Sequence, residues 1–194
     1  MRIQITDEEE WNDRTIENST IEESNACYII FRECTFKNVE FLDVTLDKPQ
    51  FSHVTFINCD LSNINLEGAA IHYCTFKNCK LIGTHLMEAS IREVSFEGCQ
   101  CDYINIGGSI VKDVTFKACR MGQAGMNNCK VSKITFETCD MPRIEFSGTK
   151  LKGIDLSTCN IEGIHIKLED IRGLKLSTFQ AIEFSKMLGI IVKE

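Results

Sequence analysis

From Ile16 to Leu176, every fifth residue is apolar: thirty-three successive positions without an insertion. Ten of the twelve Phe lie on this track, among them Phe31, Phe41, Phe51 and Phe146. At 43% apolar content, independent placement would give such a run about once in a million million trials. A second track two residues earlier is mostly small or β-branched, as in Val39, Val44, Val54, Ile64, Ala69, Thr84 and Ser109. Arg14 and Glu169 break it near its ends, and Pro49 is its internal oddity. Neither spacing is helical. Apolar residues at two alternate positions of every five describe a short strand, reset by a corner each time. Asn, Asp and Gly recur after the large residue, as in Phe36-Lys37-Asn38 and Phe96-Glu97-Gly98, and suit turns with unusual backbone angles.

Like residues also recur at twenty. Phe36, Phe56, Phe76, Phe96, Phe116 and Phe136 form one column, and Cys59, Cys79, Cys99, Cys119, Cys139 and Cys159 another. The spacing predicts a four-sided coil of four pentapeptides, with these two columns as its structural core ladder. Neighbouring coils then lie about 4.8 Å apart, so about eight coils give a rod of roughly 40 Å. Stacked coils pair their backbones along the rod and leave edges only at its ends.

This A(D/N)LXX-like pattern resembles the pentapeptide-repeat proteins, and the resemblance implies an all-β fold, a right-handed quadrilateral β-helix, over residues 14–176. Residues 1–13 are expected to be a cap strand or tail, with Met1 to Ile5 alternating and Trp11 covering the open core. Residues 177–194 leave the register. Ser177 and Gln180 form a capping box, a short helix follows, Gly189 is placed to stop it, and Ile190-Ile191-Val192 reads as a short strand. Phe179-Gln180-Ala181 and Met187-Leu188-Gly189-Ile190 resemble the tails of the quinolone-resistance pentapeptide-repeat proteins of the Qnr and MfpA type. That resemblance implies a homodimer joined through the C-terminal end, with Phe179, Ile182, Phe184, Met187, Leu188 and Ile190 at the interface. An apolar rod end invites such association on its own account.

Catalytic chemistry finds little support. Of eleven Cys, nine fall on the small inward track and Cys101 on the large one, leaving Cys27. This is packing by a small apolar side chain rather than a converging metal site, so no metal is expected. His53, His72, His85 and His165 lie off both tracks and should be exposed, with no triad spacing. No Gly-rich strand-to-helix loop suggests a phosphate or cofactor site. Unbroken register leaves no inserted loop to build a cleft, so neither cofactor nor catalysis is expected. An odd Cys count without an export-like N-terminus points to reduced thiols and a cytoplasmic location, and no apolar run is long enough for a membrane helix.

The net charge of −7 argues against direct nucleic-acid binding. The resemblance instead implies a protein partner: a rod imitating duplex DNA that binds DNA gyrase or another type II topoisomerase and gives quinolone resistance. Such a rod meets a basic groove with acidic columns. The alternative is a structural or interaction scaffold for an unknown protein partner. Residues 1–40 hold ten acidic and four basic residues, and residues 41–150 twelve and eleven. Counted along the chain, the excess lies at the N-terminal end.

Overall fold

The structure, a computed structural model, describes residues 2–187 and 189–193. The period-twenty columns are physically stacked. Phe36, Phe56, Phe76, Phe96, Phe116 and Phe136 are Cα partners in successive parallel pairs. Their rings lie 4.6–5.4 Å apart and within 10° of parallel. Each side of the coil is named by its central large residue. The first side is centred on Trp11, Phe31, Phe51 and their counterparts, the second on Ile16 and Phe36, the third on Ile21 and Phe41, and the fourth on Ala26 and Leu46.

The second side carries seven strand levels, Thr15–Glu22, Thr35–Leu42, Thr55–Ile57, Thr75–Lys77, Ser90–Glu97, Ile110–Lys117 and Lys130–Glu137. The last three also cover the first side, crossing the corner without interruption. The third and fourth sides are held mainly by single parallel bridges, such as Asp60↔Lys80 and Asn65↔His85. Turn chemistry makes the difference. From Leu66 onward, most corners after the third and fourth sides close with a turn hydrogen bond, as from Ala69 N to Leu66 O and from Thr84 N to Leu81 O, while Ala89 N and Cys129 N donate to the Ser109 and Thr149 hydroxyls. These turns consume backbone groups that would otherwise lengthen a ladder.

Every corner from Glu8 to Arg143 has a left-handed residue, most of them not Gly. Left-handed backbone costs a non-Gly residue roughly 1–2 kcal/mol. Most corner N–H groups recover part of this by donating to the next coil, as from Asn58 to Lys77 O at 2.9 Å. At Gly148 (φ +79°) a Cβ would also lie 2.2 Å from Asn128 Oδ1, so any other residue there would have to displace the Asn128 side chain as well.

The ends depart from the simple pattern. Regular pairing begins before residue 14: Glu10–Asn12 pairs with Ile30–Arg32 at the full twenty-residue offset. Trp11 is therefore the first rung of a column, buried edge-on against Phe31 at 5.4 Å. Arg2–Ile3 is a strand on Thr20–Ile21. Near the other end the register breaks inside the expected repeat. Leu168–Asp170 forms a 3-10 turn. Glu169, due to point inward, is exposed, and Asp170 is buried with Oδ2 accepting from Gly148 N at 2.8 Å. A carboxylate enters only where a donor meets it.

Helix α1 (Thr178–Met187) follows its capping box, with Ser177 N donating to Gln180 Oε1 and Gln180 N to Ser177 Oγ. Gly189 ends it at φ +76°. Ile190-Ile191-Val192 is not a strand but exposed chain without regular structure. A strand needs a neighbouring strand to pair with, whereas the Ile190 N–H here donates back to Ser185 O of the helix. No described helix is long and apolar enough to cross a membrane.

Candidate functional site: the sides and the C-terminal end of the rod

The interior is a filled stack whose polar groups are satisfied within it. Cys59 Sγ donates to Phe36 O at 3.3 Å, and Cys99, Cys119, Cys139 and Cys159 repeat the contact with Phe76, Phe96, Phe116 and Phe136. Thr84 and Ser109 make the same bond to Leu61 O and Leu86 O. Where the inward track carries Cys, Ser or Thr, the side chain thus supplies a donor to the neighbouring coil as well as fitting the space. Apolarity alone does not reveal this; the interchange of Cys, Ser and Thr at that position is the signal that does. Burial pushes the Cys74 thiol up to about 11. Within the ladder, neighbouring thiols raise Cys79 and Cys139 and lower Cys99, while burial opposes the charged form of each. No group of three potential metal ligands occurs among the described residues.

Side chains that reach solvent are sorted by side. On the third side, outward positions of residues 20–163 carry Glu22, Glu23, Glu40, Asp43, Asp60, Asp102, Asp140 and Glu162 against Lys80, Arg120 and Arg143. The fourth side, over residues 5–168, adds Asp7, Glu8, Asp47, Glu67, Glu88 and Glu145 against Lys48 and Lys167. These two adjacent sides thus hold fourteen carboxylates and five cations, a balance of −9, and the other two together carry +2. In three dimensions the acidic excess is confined to these two sides and stays N-terminal: their residues 5–68 carry −8 and their residues 80–168 only −1. Asp60 is typical: burial opposes its charge, but hydrogen bonds from Ser62 and Lys80 hold its carboxyl below the usual range.

Of the histidines, His53, His85 and His165 are exposed as expected. His72 is half-buried, its Nε2 3.1 Å from Ser90 Oγ, because Ser90 and Arg92 flank it one coil away. Burial and the Arg92 charge lower its pKa from 6.5.

The C-terminal end holds a cleft that the unbroken register did not predict. About 730 Å³ lies between the last coil and α1, lined by Ile161, Ile164, His165, Phe179, Gln180 and Phe184 among others. It exists because α1 docks through one edge only. Gln180 is buried and its Nε2 donates to Leu156 O and Cys159 O, while Phe184 packs on the core. Phe179 is 73% exposed, and Ile182 and Ile190 are exposed as well. Leu188 and the Met187 side chain lie outside the described residues. The candidate interface residues are thus split, with Phe184 on the rod and Phe179, Ile182 and Ile190 towards solvent.

These features define a four-sided parallel β-solenoid of five-residue repeats that presents flat, charge-sorted sides. The chain matches the family model for the pentapeptide repeat region over residues 49–119 and 108–166, and it belongs to that family. No curated protein matches the sequence. Among solved structures, a trypsin-treated variant of QnrB1, a plasmid-mediated fluoroquinolone resistance protein, is 18% identical, with a TM-score of 0.53 over 96% of this chain and 99% of that one. HetL, a pentapeptide repeat protein involved in heterocyst differentiation regulation in the cyanobacterium Nostoc, is 14% identical over 89% and 87% of the two chains, with a TM-score of 0.29. A pentapeptide repeat protein of the Arabidopsis thaliana thylakoid lumen is 14% identical over 71% of each, with a TM-score of 0.38. At such identities, the likeness to QnrB1 speaks to the fold.

Proposed function

We propose that this protein is a non-catalytic binding rod whose acidic third and fourth sides dock in the basic, DNA-binding groove of a protein partner. The observation that carries this reading is the concentration of −9 on two adjacent sides. An acidic face on the N-terminal half of a rigid rod suits a groove built for duplex DNA, because its charges are held in place and lose little entropy on docking. The partner class that fits is a type II topoisomerase, DNA gyrase first, with protection against quinolones as the consequence. The C-terminal tail resembles that of the Qnr and MfpA type, and QnrB1 shares the fold. In the same reading two copies join end to end through Phe179, Ile182 and Ile190, which sets an acidic face at each end of the doubled rod. The rod acts in the cytoplasm, where its thiols stay reduced.

A supercoiling assay tests it. Micromolar protein is expected to inhibit gyrase or relieve quinolone inhibition, with an effect that weakens as salt rises. No effect at low salt overturns the topoisomerase reading. A scaffold with a different protein partner is the second reading. It is favoured by the +2 balance of the first and second sides, since a uniform DNA mimic has no such sides.

A further inference from the structure

Two outward columns on neighbouring sides treat charge in opposite ways. On the second side, Glu17, Lys37, Lys77, Glu97, Lys117 and Glu137 alternate in sign except across Ile57, and ion pairs join rungs such as Lys37–Glu17 and Lys77–Glu97, each at 3.5 Å. This column neutralises itself. On the first side, the column Arg92, Lys112, Ser132, Lys152 and Arg172 contains no acid, and Lys130, Lys133 and Lys150 flank it. Arg92 and Lys112 are direct partners in the parallel register. Like charges placed directly opposite destabilise a sheet, so fold stability does not account for the arrangement. Asp113 meets Lys133 at 3.3 Å and Lys112 at 3.9 Å. Among the described residues, Arg92, Lys130, Lys150, Lys152 and Arg172 have no carboxylate within ion-pair distance. These cations are all exposed, over five coil levels and about 19 Å of rod.

The side opposite the first in the four-sided coil is the third. Its N-terminal coils present Glu22, Glu23, Glu40, Asp43 and Asp60. Both columns share one pitch, a single coil, because the same backbone spacing generates both. A cationic column and an acidic column of equal pitch can face each other rung for rung when one rod slides along another. Duplex phosphates do not follow this pitch, and the net charge of −7 repels a polyanion at long range.

We propose that the cationic first side is a self-association surface, which receives the acidic N-terminal coils of the third side of a second copy. The contact is heterologous, since two different sides meet, and therefore open-ended: each added copy leaves both surfaces available at the ends of the row. It is small and polar, so it is weak and governed by salt. It also covers the third side, so it competes with partner docking there. It does not depend on who that partner is.

The test is sedimentation velocity of the full chain alone, from 5 to 200 μM, in 20 mM and 300 mM NaCl. At 20 mM salt the weight-average mass is expected to rise with concentration to about twice its 300 mM value. An apolar end-to-end dimer is salt-insensitive, so it sets the 300 mM baseline and leaves the difference unaffected. Lys130→Glu/Lys150→Glu/Lys152→Glu should abolish the rise, and so should Glu40→Lys/Asp43→Lys; mixing the two variants, whose charges are swapped, should restore it. All five positions are exposed, and matching thermal melts confirm folding. The milder Lys130→Gln/Lys150→Gln/Lys152→Gln should weaken the rise. A mass independent of salt, or a mixture that fails to associate, overturns the proposal. So does tight binding of a 20-base-pair duplex that the triple Glu variant loses while the wild type stays unassociated, because the column would then be a nucleic-acid surface.

Discussion

The thiol of Cys119 donates to the carbonyl of Phe96, 3.5 Å away and twenty-three residues earlier in the chain. That bond ties one coil to the next from inside the tube, and the same bond recurs through the ladder. A Ser can replace the thiol with little change in shape and keep the donor. Cys119→Ser is expected to cost no more than about 1 kcal/mol. Cys119→Leu, which overfills the column and removes the thiol's bond to the Phe96 carbonyl, should cost about 3 kcal/mol or more. Urea unfolding of the two variants checks the order, and equal losses would contradict it.

Phe96 lies in the middle of its stack, 4.7 Å from Phe76 and 4.6 Å from Phe116. Phe96→Ala removes a rung with both neighbours held in place by their own coils, so the gap cannot close. The loss is expected to be about 3–5 kcal/mol. Because each coil contacts only its neighbours, hydrogen exchange should quicken most in the coils next to residue 96.

Gln180 is the clamp for α1. Its side-chain amide occupies two carbonyls, Leu156 O at 2.9 Å and Cys159 O at 2.8 Å. Gln180→Ala removes a donor from each; Leu156 O keeps its bond from Cys159 N at 3.0 Å but Cys159 O loses its partner, and the attachment of α1 should weaken by about 1–3 kcal/mol. Amides of residues 178–186 should then exchange faster, while those of the Phe column keep their protection. Gln180→Glu should behave no better, since a carboxylate cannot donate to a carbonyl.

His72 makes stability depend on pH in a defined direction. Its folded-state pKa is lowered from 6.5 by burial and by Arg92, so the unfolded chain takes up the proton first. As pH falls through 6.5 and towards the lower folded value, stability should decrease, and it should be fully present above 6.5. His72→Gln keeps a polar group near Ser90 and should flatten the curve between pH 7.5 and 5. An unchanged slope by thermal melts would assign that dependence to other groups.

Much of the fold was legible because periodicity is a local record of a global constraint. Phe56 and Phe76 are alike because they occupy the same place in successive coils, and a shift of one residue would turn both outward. The capping box at Ser177 and Gln180, and the stop at Gly189, were legible because caps are made within one turn of helix. What the sequence concealed depended on contacts between distant segments. Glu169 read as a break in a track, but only the coil below supplies the Gly148 N–H that draws Asp170 inward. The run Ile190-Ile191-Val192 has strand composition, yet composition provides no pairing partner.

The sequence by itself determined a solenoid with a filled interior and four flat sides, since a strict five-residue alternation of large and small apolar residues has one way to bury both tracks. Tertiary structure alone decided what those sides offer. Residues adjacent on the surface are twenty apart in the chain, so a tally along the chain averages over all four sides and hides both the acidic face and the cationic column. It also decided that α1 leans on the last coil by Gln180 and Phe184, because its docking follows where the rod end presents the Leu156 and Cys159 carbonyls.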